Sequence, residues 1–252
     1  MLLLSTSTLW WYGLHRIFDF ASKAWYDGID ISLHVAELDL WDADYILSLI
    51  KLYHIPVKSL TAPWKDMGMK KFQDIFDLGK KIWVNSISFA PPHIMDKDTK
   101  WFHHLAKIQK TTDIFLCVRN VESTFLFFVI PEYSNASFEK IKSTTGNVSL
   151  DILAVQNSSQ MDIMRALAVL WSSLKNIYLA DKRDRTLWTI PWTWAWGLSN
   201  IPLESFFMKL KAQSYKGDIS LRVNPKEIWV WNPELVLKHL NAMKFYYTQH
   251  FK

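Results

Sequence analysis

Residues 12–31 read YGLHRIFDFASKAWYDGIDI. LHRIFDFASKAW has helical period, and after Gly28 comes a short apolar run, GIDISL (28–33), of strand length. The same alternation continues outward in both directions. Strand candidates are LLLSTSTL (2–9), GIDISL, PVKSLTA (56–62), WVNSISF (83–89), IFLCVRN (114–120), VSLDILAV (148–155), NIYLAD (176–181) and DISLRV (218–223), eight in all. Between them lie helix-like stretches over 42–54, 69–82, 98–110, 137–145, 161–174 and 202–213, with a last one from Pro233 to the end. In the stretch 42–54, Ile46, Leu49, Ile50 and Tyr53 fall on one face. Asp42, Asp98, Asp162 and Ser205 are candidate N-caps, and Pro233 suits a first helical turn.

Near-continuous apolar strands, each followed by a helix, indicate a parallel sheet covered on its faces. Eight such units in 252 residues match a closed (β/α)8 barrel, a single α/β domain spanning 1–252 with its site at the C-terminal strand ends. The structural alternative is a doubly wound open sheet. No strand leads into G-x-G-x-x-G or G-x-x-x-x-G-K-[ST], and seven glycines leave little for phosphate-cradling loops, so nucleotide-binding folds lose weight.

Composition narrows the function classes. Half of the residues are hydrophobic, enough for a large core, and the net charge of +5 falls short of the dense basic footprint of a nucleic-acid binder. The single cysteine, Cys117, excludes an internal disulfide and a cysteine-rich zinc site, and mid-strand it reads as a packed thiol. The N-terminal MLLLSTSTLWW has no basic n-region and no cleavage pattern, and FLFFVI (125–130) is too short to span a membrane. The expectation is a soluble, cytoplasmic protein, a candidate homo-oligomer, with no membrane role.

With these pieces in order, the chain resembles the xylose isomerase-like TIM barrels, the sugar phosphate isomerase/epimerase group. YGLHRIFDFASKAWYDGIDI is similar to the family's helix leading into a G-[YF]-[DE]-G-[IV]-[DE] second strand. IPVKSLTAPW, VNSISFAPPH, IFLCVRNVES, VSLDILAV, NIYLADKR and YKGDISLRVNP resemble strands three to eight. The resemblance covers nearly the whole chain and rests on eight individually weak motifs in the right order.

The resemblance implies a divalent metal (Mn, Mg, Co or Zn) held by a glutamate ending strand five, an aspartate ending strand six, a histidine ending strand seven and a glutamate ending strand eight. This chain keeps Asp151 on strand six, but has Arg119 before Asn120 on strand five, Tyr178 in place of the histidine with Asp181 retained, and Arg222 on strand eight. Guanidiniums cannot coordinate a hard cation and repel it. The expectation is therefore that the family metal, and with it the metal-stabilised enediolate route, is lost, and no cofactor is expected. Glu122 is a substitute ligand only if strand five is shifted.

Two desolvated arginines need partners. Arg119 and Arg222 either flank Asp151 in a structural salt-bridge triad or, with Lys182 and Lys58, hold an anionic ligand such as a sugar phosphate or carboxylate. In TIPWTWAWG (189–197), Trp192, Trp194 and Trp196 alternate, so an extended segment would put all three indoles on one side over the mouth. They would serve as a stacking platform for a sugar, or as a plug packed on Trp10, Trp11 and Trp64.

His93 is a candidate ligand or acid/base group, with a capping or surface role as the bland reading; the adjacent His103 and His104 face different directions and cannot pair on a metal. His15, on the first helix, would bond a loop carbonyl. The first functional reading is a barrel that binds a small polar or anionic, sugar-like ligand through Arg119, Arg222, Tyr178, Lys182 and the three tryptophans, without metal-dependent turnover. The second is an isomerase, epimerase or lyase with Asp151, Asp181, Glu122 or His93 as acid/base groups. The third is an interaction or scaffold protein. The DNA-repair branch of the superfamily uses more metal ligands than this chain offers.

Overall fold

Eight short parallel strands, none longer than six residues, close on themselves in this computed structural model, which describes residues 1–34, 38–127, 129–157, 161–183, 186–189 and 201–251. The barrel strands are β1 (Leu2–Ser5), β2 (Gly28–Ser32), β3 (Val57–Thr61), β4 (Ser86–Phe89), β5 (Phe115–Arg119), β8 (Val148–Asp151), β9 (Leu174–Leu179) and β12 (Asp218–Leu221). Their order around the barrel is β1-β12-β9-β8-β5-β4-β3-β2, with β2 closing onto β1. Helices α1 (Leu14–Lys23), α2 (Ala43–Tyr53), α3 (Met69–Lys81), α4 (Lys100–Gln109), α5 (Phe138–Thr145), α6 (Ile152–Asn157), α7 (Ile163–Leu170), α8 (Leu203–Ala212) and α9 (Pro233–His250) cover the outside. Two small hairpins stand on connections: β6 (Phe125–Leu126) with β7 (Ile130–Pro131), and β10 (Asp181–Arg183) with β11 (Thr186–Thr189). No described helix is long and apolar enough to cross a membrane.

The opening stretch explains its own geometry. Leu14, Ile17, Phe18 and Ala21 are buried on one face of α1 at helical spacing. The helix stops when Trp25 turns left-handed, at φ 58°, so that the Tyr26 amide donates back to the Ala21 carbonyl. Gly28 then starts β2 where a Cβ would sit 2.9 Å from the Pro56 carbonyl oxygen, so a side chain would push β2 away from β3. The same helix stop recurs after α3, with Trp83 left-handed at φ 59° and Val84 donating to Gly79.

Two strands stop four residues before the end of their expected runs. In 2–9 the strand ends at Ser5, because hydroxyls beyond it take over main-chain bonding: Thr6 Oγ1 accepts from the Ser32 amide, and Thr8 Oγ1 donates to the Leu221 carbonyl while accepting from the Val223 amide. In 148–155 the strand ends at Asp151, whose Oδ1 accepts from the Leu153 and Ala154 amides at 3.1 and 3.2 Å and starts α6. Asp42 and Asp162 cap α2 and α7 as expected, and Asn232 caps α9 ahead of Pro233. Asp98 accepts from the Lys100 amide at the start of α4, whereas Ser205 lies inside α8, which begins after Pro202.

The apolar core lies between the strands' outer faces and the helices. The lumen is different: Asp30, Ser59, Thr61, Ser86, Ser88, Ser149, Asn176, Asp218 and Ser220 are all buried there. Barrel interiors are usually filled by bulky branched side chains. Here hydroxyls bond across the strands, as Ser88 Oγ does with Ser149 Oγ at 2.5 Å and Ser220 Oγ with Asn176 Oδ1 at 3.2 Å.

At the N-terminal end of the lumen, burial pushes the Asp218 carboxyl up to about 6, an effect that the Met1 amino group and Lys58 moderate and that Asp30 and Asp27 add to. A carboxyl whose folded value lies above its unfolded one contributes stability below the unfolded value, near 4, and loses it as pH rises through about 6. We expect Asp218→Asn to abolish this loss and to be more stable than the parent at pH 8 by ~3 kcal/mol, the equivalent of such a shift. Thermal melts of both proteins from pH 4 to 8 check this, and parallel pH profiles would contradict it.

Candidate functional site

At the opposite, C-terminal end of the barrel, β5, β8, β9 and β12 bring Arg119, Asp151, Tyr178 and Arg222 to the mouth. β5 ends at Arg119, which is 6% exposed. The next residue, Asn120, extends the β5–β8 pairing beyond the ladder: its amide donates to the Asp151 carbonyl at 2.9 Å and its oxygen accepts from the Asp151 N–H at 2.6 Å. Arg222 follows β12, fixed by its main-chain N–H on the Leu179 carbonyl at 2.9 Å. Tyr178, on β9 between them in the barrel order, is fully buried.

The Tyr178 ring is the hub. Both guanidiniums lie over it, with the Cζ atoms of Arg119 and Arg222 each 5.6 Å from its centroid, a cation–π arrangement. Its hydroxyl meets Thr61 Oγ1 at 2.7 Å across the full width of the barrel, since β3 and β9 stand opposite each other. Thr61 in turn donates to Asp30 Oδ1 at 3.0 Å, and Ser59 donates to the same oxygen at 2.6 Å. Thr61 has one proton and gives it to Asp30, so the Tyr178 hydroxyl is the donor in its bond to Thr61. Burial, then the Asp30 charge, raise the Tyr178 phenol, which stays protonated as that role requires.

Burial also raises the Asp30 carboxyl, against the opposing pull of Ser59, Ser5, Arg222 and Thr61. Arg222 is pushed down first by burial and then by Arg119, and held up by Asp151. The two arginines are thus close enough to repel. Arg222 Nη1 is 4.0 Å from Asp151 Oδ2, a long ion pair. Arg119 has no ion pair, and its Nη1 is buried with no hydrogen-bond partner, among the described residues.

His34, two residues beyond β2, is a site residue that the sequence reading missed. Its position just past a strand end was the available signal. Both ring nitrogens are shielded from solvent and have no partner among the described residues. Burial, then Arg222 and Arg119, push its pKa well below the ordinary histidine value, so the ring is neutral.

The other expected residues are placed as follows. Asp151 uses one oxygen to start α6 and turns the other toward Arg222. Asp181 is completely buried at the start of the β10–β11 hairpin. Glu122 accepts from Asn157 Nδ2 at 2.6 Å and lines a cavity of about 250 Å³ beneath the loop after β5, with Asn120 and Tyr133. His93 is buried: its main-chain N–H donates to Asp96, its Nδ1 accepts from the Met95 N–H at 3.1 Å, its Nε2 lies 3.8 Å from Glu132 Oε2, and its ring stands edge-on to Trp64 and Tyr133. Lys58 acts at the N-terminal end, where its charge is felt by Asp218, because Ser59 and Thr61 take the inward positions of β3. His15 meets the Tyr53 hydroxyl rather than a loop carbonyl. The Lys182 side chain and Trp192, Trp194 and Trp196 lie outside the described residues.

Exposed indoles do gather on mouth loops. Trp10 and Trp11 stack at 4.3 Å after β1, and Trp229 and Trp231 lie 5.3 Å apart after β12. Tyr12 donates to the Val230 carbonyl and ties these two loops together. Lys65 Nζ sits 4.3 Å from the Trp64 ring centre.

The chain matches no protein-family model, and no curated protein sequence matches it. Solved structures do match. D-psicose 3-epimerase from Clostridium cellulolyticum H10 superposes with a TM-score of 0.73 at 13% identity, covering 100% of this chain and 99% of that one. The IOLI protein, solved with a bound zinc atom, gives 0.74 at 13% identity with the same coverage. A xylose isomerase domain-containing protein from Salmonella typhimurium LT2 gives 0.70 at 10% identity over 97% of this chain and 96% of that one. The fold is that of the xylose isomerase-like barrels. At the four strand ends where the resemblance to those barrels expects metal ligands, this chain carries Arg119, Asp151, Tyr178 and Arg222. Among the described residues no three His, Cys, Asp or Glu side chains gather in a way that could hold a metal ion.

Tyr178→Phe keeps the ring under the guanidiniums and removes only the bond across the barrel. We expect a loss of about 1–3 kcal/mol of stability, the usual result of leaving a buried polar partner unpaired. Urea denaturation measures it, and an unchanged midpoint would contradict the hub role.

Proposed function

We propose that the mouth binds a small anionic ligand of sugar-derivative size, and that it does so without the divalent metal that the fold resemblance implies. The observation that carries this reading is Arg119: a buried guanidinium with an unpartnered Nη1 and no ion pair among the described residues, beside a second guanidinium whose carboxylate partner is 4.0 Å away. Leaving a desolvated charge uncompensated is costly, and an anion that bridges the two arginines removes the cost. Guanidinium forks match the oxygens of carboxylate and phosphate, and the buried setting strengthens the attraction.

The donor set is unsuited to a hard divalent ion. Two of the four strand-end positions are cationic, the third is a phenol whose proton is committed to Thr61, and the Asp151 carboxylate is engaged by α6 amides and Arg222. Tyr178 holds the arginines in place through its ring, and Asn120 fixes the strand end from which Arg119 projects.

Calorimetric titration with inorganic phosphate in the presence of EDTA tests the reading. We expect binding that weakens as salt is raised, and that Arg119→Ala reduces at least tenfold, in line with a charge-assisted hydrogen bond worth about 1.5–3 kcal/mol. Absence of binding, or binding that appears only when a divalent metal is supplied, would overturn it.

A further inference from the structure

We propose that His34 reads a hydroxyl on the anion held by Arg119 and Arg222, so that the site takes hydroxylated anions, sugar phosphates or sugar acids, in preference to bare or alkyl ones. The inference rests on the anion-binding reading above and adds a selectivity to it.

The chemistry of the mouth separates two kinds of group. Guanidiniums only donate, so Arg119 can satisfy oxygen acceptors and nothing else. The Tyr178 hydroxyl is spent on Thr61, and Asp151 accepts from α6 amides. A ligand hydroxyl also donates, and for its proton it needs a partner with a lone pair, which no guanidinium offers. A neutral imidazole is such a partner, with one N–H and one lone pair.

His34 meets the requirement on three counts. Both of its nitrogens are buried and unpartnered among the described residues, so each has a hydrogen bond to gain. Its place is set by the strand end: the adjacent Leu33 N–H donates at 2.8 Å to the carbonyl of Thr61, the residue whose hydroxyl carries Tyr178. The ring is close enough to feel both Arg222 and Arg119, and their charges, added to burial, keep it neutral. Ser32 Oγ, also buried and unpartnered, lies two residues earlier on β2. The β2 end therefore carries hydroxyl-reading groups, facing the strand ends that carry guanidiniums.

The test compares matched ligands. Wild type, His34→Ala and His34→Gln are titrated with glycerol 3-phosphate against n-propyl phosphate, and with gluconate against hexanoate, with inorganic phosphate as the anion reference. We expect wild type to prefer the hydroxylated member of at least one pair about tenfold, the size of one good hydrogen bond. The preferred pair distinguishes a phosphate ester from a carboxylate. His34→Ala should bind both members of that pair equally. His34→Gln, whose amide also donates and accepts, should restore the preference. Equal affinities in wild type, or a preference that survives in His34→Ala, would overturn the proposal while leaving the anion site standing. Failure of inorganic phosphate and of all four ligands to bind wild type would remove the anion site, and this selectivity with it.

Discussion

Two like charges facing one aromatic ring govern the mouth of this barrel. Arg119 and Arg222 are both desolvated, both 5.6 Å from the Tyr178 ring centre, and close enough that Arg119 disfavours the charge of Arg222. Such a pair holds together only if something between it is attractive and fixed. The ring supplies the attraction through its quadrupole. The fixing comes from the hydroxyl, which reaches Thr61 on the opposite strand and, through it, Asp30. Asp151 first, and Asp30 after it, supply the negative potential that holds up the charge of Arg222.

This chain of dependence accounts for the polar lumen. A barrel filled with valine and isoleucine could not carry a buried carboxylate or a phenol bond from wall to wall, because each polar group would lack a partner. Serine and threonine at the inward positions of β3, β4, β8 and β12 leave room and supply hydroxyls. The apolar burial that holds the fold is correspondingly moved outside the strands, where Ile29, Ile31, Leu60, Ile87, Leu116, Leu150 and Ile177 pack into the hydrophobic core beneath the helices.

Much of the fold was legible in the sequence because period and length separate strands from helices. All eight barrel strands fall within the expected runs or overlap them, from Leu2 to Leu221. The ends were less legible, since they depend on side chains that replace main-chain partners: Thr6 and Thr8 cut the first run short, and Asp151 turns the sixth into a helix. The family resemblance, applied to the strands in order, points to Arg119, Tyr178 and Arg222 at strand ends, and both guanidiniums lie over the Tyr178 ring. His34 could not be singled out, because its significance lies in what surrounds it, two guanidiniums from β5 and β12 far away in the chain. Lys58 was misplaced for a simpler reason: a one-residue step along a strand reverses the side that a residue faces. His93 is absorbed by local bonding to Asp96 and Met95 that spacing does not reveal.

The central claim is that the strand ends form a site for negative charge. Metal content measures it most directly: the purified protein is incubated in turn with manganese, magnesium, cobalt and zinc, desalted, and analysed by inductively coupled plasma mass spectrometry. The account predicts far less than one ion per chain under every condition, with no change on Asp151→Asn. Near-stoichiometric metal that Asp151→Asn abolishes would contradict it, and would mean that the guanidiniums stand aside from a working cation site.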